Sequence, residues 1–262
     1  MAMNVAEAEM MCRAAEDADV LALIDHELRF QNGRRIAREM LANGEFGKIR
    51  HVKYLFRNAM RGDPDVRWNW WSDATAGGGT LGAIGSHAID SLLWFLDADI
   101  ETLSCQLQTH VKKRTDTGGT LRDVTTDDES LLTFRFADSA ITESATGTMS
   151  LSMIEYPDYH HTIEFVGTTG SIRVDYLGGI QTTHAGDECW IDIETGPVES
   201  VPGIFDSGFP SAFVAFAERI TEALRSGARS IEHAATFADG LRIQRILDAA
   251  RESDRSGRVV RP

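Results

Sequence analysis

His87 and Asp90 stand three residues apart in the segment GGGTLGAIGSHAID, Gly77 to Asp90. On a helix that spacing puts an imidazole and a carboxylate on one face, where the acid can orient or electrostatically support the ring. A histidine near its neutral pKa suits the removal of a hydroxyl proton while hydride leaves the same carbon. The same spacing also fits a satisfied interfacial histidine beside a solvated aspartate. The glycines ahead of the helix, Gly78 and Gly79 among them, would let backbone come close to a ligand, with Ser86 in the first turn. Gly77, Gly79 and Gly82 also spell G-x-G-x-x-G. A dinucleotide turn needs a buried strand to aim it, and the preceding WNWWSDATA is no strand.

Two further groups carry chemistry. Trp68, Trp70 and Trp71 fall in the loop segment RWNWWSD, where they could line a pocket and stack on a sugar face, or simply pack a long loop onto a sheet. DHELRF, Asp25 to Phe30, ends a short apolar run, the edge at which open parallel sheets bind ligands. His26 and Arg29 are thus placed to meet a cofactor or substrate, although helix capping by Asp25 and surface charge for Arg29 fit as well. His160 and His161 alternate faces in a strand, and His51, His110, His184 and His233 lack partners at ligand spacing, so no metal site is read.

The elements that position these residues follow from periodicity. Asn4 with Glu7 resembles a capping box, and Val5, Ala8, Met11, Cys12 and Ala15 repeat at helical spacing. VLALID, Val20 to Asp25, reads as a parallel-type strand buried on both faces, one that needs sheet neighbours and helices over it. Residues 32 to 42 predict a second helix, HVKYLF a strand, and Thr80 to Asp97 a third helix. From Ile100 to Ile193, about six short alternating segments predict a mostly antiparallel sheet. Helices from about Ser211 to Arg225 and Ala235 to Glu252 close the chain. The fold class is therefore α+β, a large open sheet covered by helices on one face. If the other face is apolar it is an association surface, so a homo-oligomer is expected.

Bulk properties narrow the partners. The 262 residues carry 40 acidic against 26 basic side chains, a formal net charge of -14, which repels phosphate backbones and anionic lipid. Nucleic acid and membrane are not expected. Cys12, Cys105 and Cys189 are odd in number and widely spaced, which fits a reducing cytoplasm and no disulfide framework. The first twenty residues are too acidic for a signal peptide.

Taken in order, MAMNVAEAEMMCRAAEDADVLALIDHELRF, RWNWWSDATAGGG, GSHAIDSLLWFL, IEFVGTTGSIRVD and TFADGLRIQRILDAARES resemble Gfo/Idh/MocA oxidoreductases over nearly the whole chain. No single motif carries the resemblance; their order does. It implies an amino-terminal Rossmann domain joined to a carboxy-terminal α/β domain whose open sheet drives oligomerisation, and oxidation or reduction of sugars, polyols and related carbinols with NAD or NADP. The family's glycine-rich cofactor loop and the Glu-Lys-Pro segment with its catalytic lysine have no counterpart here, and the aspartate common four residues before the histidine is Ala83. About three βα units would then be lost ahead of Met1. Residues 1–30 would be a Rossmann remnant with poorly protected amides, and residues 31–262 a substrate-binding and oligomerisation domain forming a homodimer or homotetramer. In this reading His87 is the general acid or base with Asp90 its support. Trp68, Trp70, Trp71, Gly78 and Gly79 bind substrate, and His26 and Arg29 face the cofactor. The alternative is a noncatalytic oligomerisation or binding module.

Overall fold

Period-two alternation of apolar and polar side chains from Ile49 onward builds the largest element of the molecule, a sheet of eight strands. The computed structural model describes residues 1–157, 159–197, 201–205 and 207–262. In chain order these form α1 (Val5–Asp17), β1 (Leu23–Ile24), α2 (Asn32–Ala42), β2 (Ile49–Arg57), α3 (Ser86–Leu96), β3 (Ile100–Gln108), β4 (Lys113–Thr115) and β5 (Leu121–Asp123). There follow β6 (Glu129–Phe136), β7 (Thr142–Ser152), β8 (His160–Gly167), β9 (Gly170–Asp175), β10 (Ile180–His184), β11 (Ile191–Ile193), α4 (Phe209–Ser226), β12 (Ala235–Thr236) and α5 (Phe237–Ser256).

The large sheet runs β11-β10-β9-β8-β2-β7-β6-β3 and is antiparallel except where β2 lies parallel to β7. Val52, Tyr54 and Phe56 of β2 point to the helix-covered face together with Met149, Leu151, Ile163 and Phe165. Against them pack Ile89, Leu92 and Phe95 of α3 and Ile243, Ile246 and Leu247 of α5. Each such buried side chain stabilises the fold by roughly 1.5–3 kcal/mol. The α+β class and the one-sided helix cover are as expected from the alternation.

The opposite face differs from expectation. It carries Thr133 and Arg135, Thr148 and Ser150, Lys53 paired to Glu164 at 2.6 Å, and Arg57 paired to Glu155 at 2.8 Å, with Leu55, Val166 and the 41% exposed Leu131 among its apolar members. It is a polar face with apolar spots rather than an apolar surface, because the off-core positions of these strands are mostly Thr, Ser and charged residues.

Three elements also depart from the sequence reading. VLALID is no parallel strand: only Leu23 and Ile24 pair, and they pair antiparallel with Ala235 and Thr236. Val20 is exposed, and the neighbour comes from the chain's own carboxy-terminal part, where Thr236 opens α5 through a reciprocal capping box with Asp239. The strand β10 lay unread because IQTTH has one buried apolar residue, Ile180. The hairpin β4–β5 is too short and polar to show an alternation. None of the described helices is long and apolar enough to cross a membrane.

Candidate active site

The helix that carries His87 does not begin as an α-helix. Residues Leu81–Gly85 form a π-helical turn that passes directly into α3, and the Asp127 carboxylate accepts from the Leu81 amide at 2.7 Å while its carbonyl accepts from Thr80 at 3.1 Å. This wider turn sets Ser86 and His87 beside the turn Glu27–Phe30, a 3-10 helix following β1 in which all four residues are buried. His87 Nδ1 lies 3.5 Å from His26 Nδ1 and 3.6 Å from Glu27 Oε2. The two imidazoles meet edge to face at 5.0 Å, and Phe209 of α4 closes another side of His87 at 5.2 Å. The His87 side chain keeps 22% of its surface open, and among the described residues none hydrogen-bonds its Nε2. It lines a cleft of about 690 Å³ together with His26, Asp25, Ser86, Gly77 and Gly82.

Burial sets the protonation of this group. Burial first, then the charge of Arg29, lowers His26 to about 3; burial first, then His26, lowers His87 to about 3. Burial first, then Asp25, raises Glu27 to about 8. At neutral pH both rings are uncharged and Glu27 is largely a neutral acid.

Asp90 serves a different partner from the one its spacing suggests. Its carboxylate receives both Arg29 Nε at 2.9 Å and Arg29 Nη2 at 2.5 Å and makes no hydrogen bond to His87; the nearest imidazole is His26, with Nε2 at 3.9 Å. Arg29 is held further by Asp239 at 3.5 Å and the His233 carbonyl at 3.4 Å. Both residues are therefore committed to a buried bidentate ion pair, which fixes the turn Glu27–Phe30 to α3. Arg29 is neither surface charge nor free for a cofactor, and the carboxyl at His87 is that of Glu27, which the spacing argument missed.

A second polar chain lies behind the first. Arg34, 1% exposed and without a carboxylate in ion-pair range among the described residues, donates to Gln31 at 2.9 Å and to Ser91 at 3.2 Å, and its Nη2 meets His161 Nε2 at 3.3 Å. The Tyr54 hydroxyl donates to the same His161 nitrogen at 2.7 Å, and Ser91 donates to the His87 carbonyl at 2.9 Å. With Nε2 the acceptor, His161 Nδ1 carries the hydrogen, buried and without a partner. These residues had a sequence signal. Arg34 shares a helical stripe with Ala37 and Leu41, Tyr54 alternates with Val52 and Phe56, and His161 with Ile163 and Phe165.

The tryptophans do not reach the cleft. Trp68 donates from Nε1 to the Asp123 carbonyl at 3.0 Å beneath the Arg122 guanidinium at 3.5 Å, so it packs the loop onto β4–β5. Trp71 leans on the exposed Trp70 at 5.3 Å and on the core. Trp68 and Trp71 pack the loop, and Trp70 stays exposed. Gly78 is crowded by the carbonyls of Trp70 and Trp71, and Gly79, at φ 98, by the side chain of Asp127, so both answer to the turn rather than to a ligand.

The glycine-rich turn ahead of α3 does not fit a dinucleotide's pyrophosphate. Gly77 to Gly82 follow 3-10 turns, not a strand, and the amides at the start of the helical segment are already capped by Asp127. Among the described residues no cluster of His, Cys, Asp or Glu is arranged to hold a metal ion.

Comparison with known proteins places this arrangement. The family described as the GFO/IDH/MocA C-terminal domain matches residues 35–173. An uncharacterized oxidoreductase of Synechocystis is 26% identical over 192 residues, covering 70% of this chain and 50% of its own length. Levoglucosan dehydrogenase of Pseudarthrobacter phenanthrenivorans is 25% identical over 273 residues, covering 94% of this chain and 68% of its own. The chain thus spans about half to two-thirds of the length of these curated relatives. Among solved structures, an oxidoreductase domain protein from Kribbella flavida superposes with a TM-score of 0.82 at 26% identity, over 99% of this chain and 71% of that one. A levoglucosan dehydrogenase in complex with NADH and L-sorbose gives 0.84 at 22% identity over 99% and 70%, a likeness of fold alone. Because the family match takes in more than half of the 262 residues, in a fold shared with these structures, the chain belongs to the Gfo/Idh/MocA family.

Proposed function

We propose that this chain supplies the substrate site of a nicotinamide-dependent oxidoreductase that moves hydride between a sugar, polyol or related carbinol and NAD or NADP. The observation that carries the reading is His87: a neutral ring at a cleft of about 690 Å³, with Nδ1 facing His26 and Glu27 and Nε2 unbonded by any described residue. A ring in that state can take a hydroxyl proton or return one. Relatives that act on sugars, and a structural neighbour holding NADH, support the substrate class and the cofactor. The cradle for the cofactor's pyrophosphate is not among the described residues, so the reading assigns to this chain the substrate and its proton alone.

In the same reading, residues 1–30 belong with the cofactor side and residues 31–262 with substrate binding and association. α1 buries only Ala8, which supports a further neighbour for this part of the chain. Two or four copies would meet through the open sheet face, and the free Cys12, Cys105 and Cys189 suit a reducing cytoplasm. The test is a panel of sugars and polyols titrated calorimetrically against the protein and against His87→Asn. The variant should fold normally and bind the same carbinol about tenfold more weakly. Binding of no carbinol would sink the substrate site, and unchanged affinity in the variant would remove His87 from it.

A further inference from the structure

The role read for His87 leaves one question of chemistry: where its proton goes. A ring whose pKa burial lowers to about 3 cannot hold a second proton at neutral pH, so it cannot store what it removes from a hydroxyl. One neighbour is built to take it. Glu27 Oε2 is buried, makes no hydrogen bond, and lies 3.6 Å from His87 Nδ1, just outside bonding range, as pairs that tighten on ligand binding often are.

We propose that Glu27 is the proton partner of His87, exchanging a proton between its Oε2 and His87 Nδ1 as Nε2 exchanges another with a ligand hydroxyl. The inference rests on the reading of His87 as the proton-handling group. Protons balance without charging the ring. When a ligand hydroxyl gives up its proton, the O–H bond breaks toward Nε2 and the Nδ1–H bond breaks toward the Glu27 carboxylate, which leaves the ligand as an alkoxide. Glu27 ends as a neutral acid and His87 as its other neutral tautomer. Return of the proton reverses each transfer. Glu27 acts through His87 and is a positioning residue, not one that touches the ligand.

The surroundings favour this division of labour. Glu27 faces Asp25, Asp90 and Arg34, and His87 faces His26, Asp90, Arg34 and the amino terminus, with the apolar Phe209 ring packed from α4. Among the described residues only Glu27 offers His87 a carboxyl within ion-pair range. His26 Nδ1 reaches the same nitrogen at 3.5 Å, but burial and Arg29 lower its pKa to about 3, so it can orient the ring and cannot keep a proton. A Glu27 pKa of about 8 lets it take and return one near neutrality.

The measurement is histidine ring-nitrogen NMR on the isotope-labelled 262-residue chain across pH. Below about 8 neutral Glu27 donates to Nδ1 and His87 should be the Nε2–H tautomer; above it the carboxylate accepts and the Nδ1–H tautomer should replace it. Glu27→Gln should abolish the switch while the signals of remote His110 and His184 report an intact fold, and His26→Gln should retain it. A His87 tautomer that stays constant with pH overturns the proposal. So does a switch that survives Glu27→Gln. Neither outcome depends on turnover, so a missing switch with carbinol binding that still needs His87 rejects only the Glu27 relay, and a switch without carbinol binding rejects only the substrate site.

Discussion

Two imidazoles and one carboxyl crowd the start of α3, and their protonation ties stability to pH. His26 and His87 are lowered from 6.5 to about 3, so between those values the unfolded chain binds protons that the folded one refuses. Stability is therefore lost as pH falls below 6.5. Glu27 is raised from 4.5 to about 8, so the folded chain keeps a proton that the unfolded chain sheds, and stability is lost as pH rises through that range. Two histidines outweigh one glutamate below 6.5, and Glu27 acts alone of the three above it. His161, held far down by burial, adds to the acid limb; Asp25 and Asp127, raised by burial, lose stability as pH rises above 3.8 and so oppose it. Urea unfolding should show Glu27 costing about 2 kcal/mol between pH 6.5 and 8, a decline missing from Glu27→Gln. Parallel profiles for the two proteins would contradict the raised pKa. His87 and His26 were legible as chemistry because residue type and position are visible in sequence. Glu27 was not, since nothing in DHELRF says which of its two acids turns toward α3.

Among the elements, the amino-terminal part divides in two. α1 has a good cap at Asn4 and exposes most of its surface, with Met10 57% accessible, whereas Glu27, Leu28, Arg29 and Phe30 are all buried. Hydrogen exchange should find residues 5–17 opening far more easily than 49–57, and residues 27–30 exchanging with the core. Protection of α1 equal to that of β2 would refute this. From sequence alone weak protection is expected throughout residues 1–30, because no neighbours for VLALID are visible along the chain. Those neighbours are β12 and α5, more than two hundred residues away along the chain. Caps and stripes located α1 and α2 because helical hydrogen bonds are local, whereas the partner of a strand is not.

For the whole molecule, the proposed association would run through the open sheet face. A formal charge of -14 makes copies repel, and the apolar spots at Leu55 and Leu131 are small, so association through this face should strengthen with salt. Sedimentation should show Leu131→Lys shifting the protein toward monomer; an unchanged oligomer would move the interface elsewhere, and a wild-type monomer at every concentration would end the proposal. Sequence by itself determined the α+β class, most element boundaries and the family, and offered His87 as a candidate, because periodicity, capping and motif order are properties of neighbours along the chain. Only the tertiary structure decided that Asp90 belongs to Arg29, that Glu27 meets His87, that Trp68 braces a hairpin, and that the free face is polar. Helical spacing offered Asp90 to His87. A bidentate guanidinium brought in by a distant turn binds that carboxylate more strongly than a neutral imidazole can.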